Sequence, residues 1–262
     1  MMSKKLGFAL GAGGSRGVAH IGFLKAMEEN GIVPDYISGC SMGSVVGSCY
    51  ASGMNADQMM KEINKLKFTD IFDLSIDPFR NGALLRAKKM HKKLKTYLKD
   101  ITFNDLKVPF TCVATDLVSG ELKTLSGDIK VADAVASSSS IPAIFKPFVI
   151  DDMVLVDGGV KCRVPIKQVR DMGADVVVAV DVLGDIRRCE RKLNVFSVIF
   201  RVYDIMDAHT TDNCVKEHCP ELFIVPDLGE MVQFKFKDMD KAYEIGYKTG
   251  LEYVEKIKEL IK

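Results

Sequence analysis

The sequence predicts an α/β protein with a mostly parallel sheet that helices cover on both faces. Two strand–loop–helix units follow one another at the start of the chain, and each has a glycine-containing turn after its strand. Further along, residues 175–181 read Asp-Val-Val-Val-Ala-Val-Asp, a run typical of a strand that is buried on both faces. This alternation around a buried strand indicates a sheet packed between helices.

In the first half of the chain, apolar spacing and helix-stop residues define the predicted elements. A short apolar run at 6–10 predicts the first strand, and apolar positions at helical spacing from Val18 to Met27 predict a helix that ends at Gly31. The remaining predictions are a strand at 34–38, a helix opening at the turn that follows, a helix at 55–66, a surface loop at 68–81 and a helix at 84–99.

The second half of the chain continues the alternation of strands and helices. The predictions are a buried strand at 108–116, a hairpin at 121–129 that turns at 126–128, a small-residue helix at 131–138, a strand or hairpin at 148–156, a helix at 165–172, a strand at 175–181, a helix from 193 to about 209, a strand at 222–225 and a helix at 242–261. Since no repeat, linker or low-complexity tract interrupts this pattern, we expect one domain spanning residues 1–262.

Composition and charge exclude several function classes. With 36 Lys and Arg against 35 Asp and Glu, the chain has no overall charge that would attract nucleic acid. No apolar run approaches the roughly 18–20 residues that span a bilayer, and the first residues are typical of a strand rather than a signal peptide. We therefore expect a cytoplasmic protein, whose oligomeric state the sequence leaves open.

Seven cysteines are scattered without a C-x-x-C pair, which argues against a disulfide scaffold and against a zinc site. One cluster has metal-ligand residue types, with Cys214 and Cys219 close to His209 and His218, but it lacks a second ligand pair. Reduced thiols in a cytoplasmic protein are the simplest interpretation. The sequence therefore predicts neither a metal nor a cofactor.

The helix predicted at 84–99 has one apolar face and one strongly basic face. Its basic residues are Arg86, Lys88, Lys89, Lys92, Lys93, Lys95 and Lys99. The favoured interpretation is a helix that packs on the core and exposes its charges to water. The alternative is peripheral contact with an anionic membrane surface, which for a cytoplasmic protein would be the inner face of the membrane.

A five-residue pattern, G-x-S-x-G, places a serine between a predicted strand and a predicted helix, as Gly39-Cys40-Ser41-Met42-Gly43. In a nucleophile elbow of this kind the serine occupies a strained turn, and the glycines leave room for close backbone packing. The same pattern occurs in ordinary tight turns. In an elbow Ser41 is the candidate nucleophile, and the side chain of Cys40 is expected to point away from the site.

A glycine-rich loop follows the first strand and leads into the first helix, as Gly11-Ala12-Gly13-Gly14-Ser15-Arg16-Gly17. Its backbone amides could stabilise the oxyanion that forms when a serine attacks an ester, and positions without side chains let a substrate approach closely. The rival interpretation is a dinucleotide-binding loop. That motif requires glycine at position 16 and an acidic residue at the end of the second strand, whereas Asp35 stands at its start.

A serine nucleophile needs a base, and two kinds of candidate remain open. Among the four histidines, His20 is expected to be a packed or partly exposed residue of the first helix, and His91 lies on the basic helix. His218 could complete a Ser–Asp–His triad. Asp157 is the other candidate. It follows a predicted strand and precedes Gly158-Gly159, so its carboxylate would emerge at the end of the strand.

Taken in order, three motifs resemble those of the bacterial patatin-like phospholipases. They are the loop Gly13-Gly14-Ser15-Arg16-Gly17, the elbow around Ser41, and Asp157-Gly158-Gly159. The resemblance extends to the segments 17–22, 114–117 and 136–142, and it covers about residues 5–230. It implies a three-layer α/β/α sandwich in which a Ser–Asp dyad hydrolyses acyl esters of lipids.

The resemblance also implies a role for each matching residue. Ser41 would be the nucleophile, Asp157 its base, and the backbone amides around Gly13 and Gly14 the oxyanion hole. The residues that support these motifs are Gly11, Arg16, Gly17, Gly39, Gly43, Gly158 and Gly159. The chain departs from the pattern at Ala12, where the family often has glycine, and alanine costs little unless that residue needs a positive φ.

On this interpretation the protein is a serine acyl hydrolase that acts on phospholipids, lysophospholipids or simpler acyl esters. The alternative is a catalytically silent module that binds a lipid or a nucleotide. Residues 68–85 and the helix from 193 carry large apolar side chains and are candidates for a lid, although such side chains are also typical of a core. Ser139 and Ser140 match a family motif without an assigned role.

Overall fold

A computed structural model describes residues 4–66, 68–71, 83–85, 87–183, 195–229, 231 and 236–262. In this part of the chain the strands are β1 (Leu6–Leu10), β2 (Tyr36–Gly39), β3 (Ala83–Leu85), β4 (Phe110–Asp116), β5 (Leu122–Leu125), β6 (Ala143–Phe145), β7 (Phe148–Ile150), β8 (Met153–Asp157), β9 (Val176–Val180) and β10 (Leu222–Ile224). The helices are α1 (Ala19–Glu29), α2 (Met42–Ala51), α3 (Ala56–Ile63), α4 (Phe68–Ile71), α5 (Lys88–Leu98), α6 (Val131–Ser138), α7 (Ile166–Asp171), α8 (Val195–His218) and α9 (Met239–Leu260). Short 3-10 helices lie at Gly14–Val18, Phe103–Asp105, Gly158–Val160 and Phe236–Asp238.

The main sheet is mixed, and its larger part is parallel. Among the described residues its strand order is β10-β9-β1-β2-β4-β8-β7, and β5 pairs with the remaining edge of β4. Every pair from β10 to β4 is parallel, whereas β5, β7 and β8 are antiparallel to their neighbours. A separate parallel pair joins β3 to β6. The predicted α/β class with a mostly parallel sheet is confirmed.

Helices pack on both faces of the sheet. Phe8 and Leu10 of β1 face one apolar cluster, which also contains residues of α1 and α9. Ala9, between them, faces a second cluster that contains Val177 of β9 and Ile166 of α7. Because successive side chains of a strand point to opposite faces, the sheet is the middle of three layers.

One of the helix layers depends on a close contact between α1 and α9. A Cβ built on Gly22 would lie 2.0 Å from the carbonyl oxygen of Tyr243, and one built on Gly246 would lie 2.0 Å from that of Ala19. Any side chain at either position would collide with the backbone of the other helix. The two glycines therefore set the distance between these helices.

Strands β2 and β8 lie along the same edge of β4. β2 pairs with residues 110–112 of β4, and β8 pairs with residues 114–116. β5 pairs with residues 112–115, so it shares residues of β4 with both of them and must lie on the opposite edge. Since β2 runs parallel to β4 and β8 runs antiparallel to it, their carboxyl ends meet head to head. Gly39 pairs with Cys112 and Asp157 with Ala114. The turns that follow the two strands are thus brought to the same point of the fold.

Most predicted elements are confirmed to within a few residues, and some differ. The helix predicted at 84–99 begins only at Lys88, because the start of the predicted range belongs to β3, which pairs with β6 in the small sheet. The surface loop predicted at 68–81 begins with helix α4, and its residues 72–81 lie outside the described part of the chain. The hairpin predicted at 121–129 is wrong, since β5 pairs with the preceding strand β4. Helix α8 continues to His218 instead of ending near 209.

Within the ranges that the structure describes, none of the helices combines the length and the apolar character that crossing a bilayer requires.

Candidate active site

Ser41 occupies a strained turn between β2 and α2. Its φ of 51° and ψ of −122° lie in a region that L-residues rarely adopt, as a nucleophile elbow requires. The neighbouring glycines allow this turn to form. A Cβ on Gly43 would lie 2.1 Å from the carbonyl oxygen of Leu10, and a Cβ on Gly39 would lie 2.6 Å from that of Gly43. The elbow is therefore packed against the end of β1, and Ser41 is only 5% exposed.

Hydrogen bonds to neighbouring serines fix the backbone of the elbow. The N–H of Ser41 donates to Oγ of Ser138 at 3.0 Å, and the hydroxyl of Ser44 donates to the carbonyl oxygen of Ser41 at 2.6 Å. Ser138 is the last residue of α6, within the serine-rich segment 136–142. Its contact with the elbow was not predicted from the sequence, where the run of serines was the available signal.

Asp157 is the last residue of β8 and is 4% exposed. Its carboxylate accepts a hydrogen bond from the N–H of Gly159 at 2.8 Å, and it lines the same cavity as Ser41. Burial raises the pKa of Asp157 to about 6, although the nearby Ser41 side chain, the N–H of Gly159 and the positive charge of Arg163 oppose the shift. The carboxylate is therefore a stronger base than a free aspartate and is still ionised at neutral pH.

Cys40 lies next to this carboxylate. Its thiol is 3.7 Å from Oδ1 of Asp157, so the prediction that the side chain points away from the site is wrong. The physical reason is the head-to-head meeting of β2 and β8, which places Asp157 against the residue before the elbow serine. Burial, together with the negative charge of Asp157, raises the pKa of the Cys40 thiol well above its usual range. A neutral, fully buried thiol is a poor nucleophile.

The glycine-rich loop lies beside Ser41 and Asp157, and its residues Gly13 and Gly14 line the same cavity. A Cβ on Gly13 would lie 2.4 Å from Cγ2 of Val182, so that position has no room for a side chain. Ala12 does not have a positive φ, and the departure from the family pattern at this position is therefore not strained. Neither glycine donates its N–H to another described residue. The oxyanion hole at these two amides stays a prediction.

Two cavities meet at Ser41, and their linings differ in polarity. The apolar cavity encloses about 710 Å³ of empty space, including the open solvent at its mouth. Its apolar lining includes Val18, Met42, Val45, Ile63, Met90 and Phe145. The polar cavity holds about 400 Å³ and includes Asp157, Arg163, Tyr203 and Asp207. An ester bound at Ser41 would have an apolar space on one side and a polar space on the other.

Three polar residues of the second cavity were missed by the sequence analysis. Arg163 follows the turn after β8, and Tyr203 and Asp207 lie four residues apart on α8. Burial raises the pKa of Asp207 to about 7, although the positive charge of Arg163 opposes the shift. Burial also raises the pKa of Tyr203, so its hydroxyl stays protonated at neutral pH. The i, i+4 spacing on one helix face was the sequence signal for the pair on α8.

Arg16 of the glycine-rich loop is buried as well and reaches the same helix. Its Nη2 lies 3.4 Å from Oδ1 of Asp204. Burial, together with the positive charge of Arg163, lowers the pKa of Arg16 to about 10, so the side chain is still charged at neutral pH. The loop that carries Gly13 and Gly14 is therefore joined to α8 by an ion pair.

Two of the four histidines are engaged away from Ser41. His20 is fully buried, which is the first of the two predicted alternatives. Its Nε2 lies 2.8 Å from the carbonyl oxygen of Gly11, and burial lowers its pKa to about 4. A neutral ring held in this way serves the packing of α1 beneath the loop. His91, on α5, lies 2.5 Å from Oδ1 of Asp133.

The histidines in the last turns of α8 have no support as a base or as metal ligands. His218 lies about three helical turns beyond Asp207, roughly 16 Å along the axis. Neither His209 nor His218 lines the cavities at Ser41. Within the described residues, no three His, Cys, Asp or Glu side chains are grouped as a metal site would need. The structure brings Asp157, rather than a histidine, to Ser41.

A serine in a strained elbow, a buried carboxylate beside it and a glycine-rich loop at the same cavity form the arrangement that is typical of serine hydrolases. The sequence matches the patatin-like phospholipase family over residues 8–170, more than half of its length, and the chain belongs to this family. The resemblance found in the sequence motifs is confirmed.

Named relatives of this family align with most of the chain. An uncharacterized NTE family protein of Mycobacterium tuberculosis is 34% identical over 184 residues, which are 70% of this chain and 50% of that protein. Neuropathy target esterase sws of Drosophila melanogaster is 25% identical over 97% of this chain and 20% of its own length. Lysophospholipase nte1 of Emericella nidulans is 24% identical over 98% of this chain and 18% of its own length. The chain thus spans half the length of the first relative and a smaller share of the others.

Solved structures with the same fold include two bacterial proteins. VipD from Legionella pneumophila superimposes with a TM-score of 0.61 at 15% identity, covering 98% of this chain and 67% of VipD. Full-length ExoU from Pseudomonas aeruginosa, solved in complex with SpcU, gives a TM-score of 0.53 at 14% identity, covering 100% of this chain and 53% of the other. At these identities the likeness shows the fold alone, and it confirms the three-layer sandwich.

Proposed function

We propose that this protein is a lipid acyl hydrolase that cleaves carboxylic esters through an acyl-enzyme on Ser41. The observation that carries the proposal is the strained Ser41 beside the buried carboxylate of Asp157, at the junction of an apolar and a polar cavity. Two relatives are named an esterase and a lysophospholipase, which supports the same reaction class.

The reaction begins when Oγ of Ser41 attacks the ester carbonyl carbon while its proton passes to Asp157. The carbonyl oxygen becomes an oxyanion beside the amides of Gly13 and Gly14. When the carbon–oxygen bond to the alcohol breaks, Asp157 gives its proton to the leaving oxygen and the acyl group stays on Ser41. A water molecule then loses a proton to Asp157 and attacks the acyl carbon. Collapse of this second intermediate releases the carboxylic acid and returns the proton to Ser41.

A carboxylate can serve as the base because its environment raises its basicity. The pKa of Asp157, about 6, leaves the group ionised at neutral pH and yet able to hold a proton during the attack. In a histidine triad the third residue orients the imidazole and stabilises the imidazolium. With Asp157 as the base no imidazolium forms, and the dyad needs no third member.

The two cavities indicate how a lipid ester would be oriented. The acyl chain would occupy the apolar cavity, next to Met42, Val45 and Phe145. The alcohol part would face the polar cavity, next to Tyr203 and Asp207. Phospholipids, lysophospholipids and simple acyl esters all have this division between a long apolar part and a polar part.

The basic helix α5 supports a second, finer proposal, peripheral contact with an anionic membrane surface. Its core-facing side is confirmed by the burial of Leu94, whereas Lys88 and Lys92 are exposed. Met90 of the same helix lines the apolar cavity. A lipid surface held by the lysines would therefore lie near the cavity that is proposed to accept the acyl chain.

Charge reversal tests this contact. A variant with glutamate in place of Lys88, Lys89, Lys92 and Lys93 should lose binding to vesicles that contain phosphatidylserine, because each basic residue contributes about 1 kcal/mol near such a surface. Its hydrolysis of a short soluble ester should stay at the wild-type rate. Unchanged vesicle binding would remove the membrane proposal and leave the hydrolase proposal intact.

A panel of lipid esters tests the hydrolase itself. Wild-type protein should release fatty acid from at least one phospholipid, lysophospholipid or monoacylglycerol, and Ser41→Ala should release none. A fluorophosphonate probe should label Ser41 in the folded wild-type protein, since it reacts with activated serines. A folded protein without labelling and without release would support the alternative, a catalytically silent module that binds a lipid or a nucleotide.

A further inference from the structure

Arg163 holds both polar groups of the Ala12 backbone. Its Nη2 donates to the carbonyl oxygen of Ala12, and its own carbonyl oxygen accepts the N–H of Ala12 at 3.1 Å. The remaining side-chain donors reach two carboxylates. Nε donates to Oδ1 of Asp181 at 2.9 Å, and Nη1 donates to Oδ2 of Asp207 at 2.9 Å. The side chain is 1% exposed, so these bonds are shielded from water.

The two carboxylates keep Arg163 in place. Burial alone would lower the pKa of Arg163, but the charges of Asp181 and Asp207 outweigh it and raise that pKa. Asp181 is fixed in turn, because its Oδ1 also accepts the N–H of Leu183 at 3.0 Å. Rotation of the guanidinium away from Ala12 would leave two buried carboxylates without their partner, which is strongly unfavourable.

The bond to Ala12 determines the direction of the next amide. In a trans peptide the C=O of one residue and the N–H of the next lie in one plane and point in opposite directions. No peptide bond among the described residues is cis. Because the Ala12 carbonyl points at Arg163, the N–H of Gly13 points away from Arg163. Gly13 lines the cavity that also contains Ser41 and Asp157.

We infer that Arg163 is a positioning residue that fixes the Ala12–Gly13 peptide so that the N–H of Gly13 faces the oxyanion. Asp181, directly after β9, and Asp207, on α8, anchor it. The inference rests on the proposed function, since it concerns the oxyanion formed during attack by Ser41. A buried ion pair often stabilises a fold no more than apolar residues of the same volume do. Positioning of the Ala12–Gly13 peptide therefore explains the buried ion pairs of Arg163 better than stability does.

Arg163→Lys tests the inference. Lysine keeps the charge but lacks the planar fork that reaches three acceptors at once. On a short soluble ester we expect kcat to fall by about 10- to 100-fold, somewhat less than the roughly 10²–10³-fold cost of deleting an oxyanion donor, with KM changed less than about threefold. The matched control is Arg170→Lys, an arginine on α7 that pairs with Glu221 outside the cavities and should keep wild-type kinetics.

A transition-state analogue separates positioning from general damage. A trifluoromethyl ketone adds to the serine and forms an oxyanion, so its affinity should weaken by the same factor as kcat/KM. An ether of the same length forms no oxyanion and should bind Arg163→Lys as it binds wild type. The inference would be overturned if Arg163→Lys lost equal affinity for the ketone and the ether. It would also be overturned if the variant kept the wild-type kcat and the wild-type affinity for the ketone.

Asp181→Asn decides the question if Arg163→Lys does not fold. It removes one of the two charges that hold Arg163, and Asp181 is not part of the cavity lining. We expect kcat to fall by about 3- to 10-fold with KM unchanged, and an unchanged kcat would overturn the inference. Wild-type protein without any ester hydrolysis is a different result, which would overturn the proposed function and the inference with it.

Discussion

Ser41 and Asp157 line the same cavity at the point where β2 and β8 meet head to head along β4. The serine is held by a strained turn at the end of one strand. The aspartate is the end of the other strand, and its N–H donates to the carbonyl oxygen of Ser140 at 2.9 Å. The proposed dyad is therefore positioned by paired strands, which hold side chains more accurately than loops do.

The proposed activity should require ionised Asp157. Because its pKa is about 6, kcat/KM for a neutral ester should rise about tenfold per pH unit below pH 6 and level off above about pH 7. A pH–rate profile with p-nitrophenyl butyrate measures this. Asp207 has a pKa of about 7 and titrates nearby, so Asp207→Asn is the control and should keep the inflection near pH 6. A flat profile down to about pH 4.5 would contradict the role of Asp157.

Neutralising Asp157 should stabilise the fold above pH 6. A pKa raised from 3.8 to about 6 means that the ionised form costs folding free energy, with no cost below pH 3.8 and the full cost above pH 6. At 1.36 kcal/mol per unit the shift corresponds to about 3 kcal/mol. Urea unfolding should show Asp157→Asn gaining up to about 3 kcal/mol at pH 8 and far less at pH 4. Equal gains at both pH values would argue against a raised pKa.

The elbow strain should be measurable as a difference between two inactive variants. Ser41→Gly can adopt a φ of 51° and a ψ of −122° without strain, whereas Ser41→Ala cannot. This strain should destabilise Ser41→Ala by about 1–3 kcal/mol relative to a residue that tolerates the turn. Glycine also has greater conformational freedom in the unfolded chain, which lowers the stability of Ser41→Gly and offsets part of the difference. We expect Ser41→Gly to be more stable than Ser41→Ala by about 1 kcal/mol in thermal unfolding. The reverse order would mean that the turn is not strained.

The contact between α1 and α9 should not tolerate a methyl group at Gly22. Since a Cβ there would lie 2.0 Å from a backbone oxygen, the helices must separate, and Gly22→Ala should lower the free energy of unfolding by about 3 kcal/mol or more. Gly31→Ala is the comparison. Its Cβ would meet open space, and only its φ of +69° is unfavourable, at about 1 kcal/mol. Similar losses for the two variants would show that close packing is not what Gly22 provides.

The parts of the fold and of the site that could be predicted are those that a short stretch of sequence determines. The valine run of β9 is buried throughout, and the glycine at position 43 marks a place where a backbone oxygen excludes a Cβ. Such features are set by a residue and its immediate neighbours, so they can be read from spacing and residue type. The proposed site motifs belong to this group, whereas the extent of the domain stays a prediction.

The features that the sequence did not predict depend on distant partners. Strand β3 forms because it pairs with β6. Apolar residues at helical spacing continue from β3 into the next helix, so the sequence predicted a helix over both. Ser138 and Arg163 reach the site from separate segments, and each is an ordinary polar residue within its own segment. The orientation of Cys40 follows from the meeting of β2 with β8, which no local pattern encodes.

The most direct test of the Ser–Asp dyad compares Asp157→Asn with His218→Ala in the hydrolysis of p-nitrophenyl butyrate at about pH 8. Circular dichroism should show that both variants are folded. We expect Asp157→Asn to lose roughly 10³-fold or more in kcat/KM and His218→Ala to match wild type, because the structure brings only the former residue to Ser41. Near-normal hydrolysis by Asp157→Asn together with its loss in His218→Ala would contradict the dyad and indicate a histidine triad.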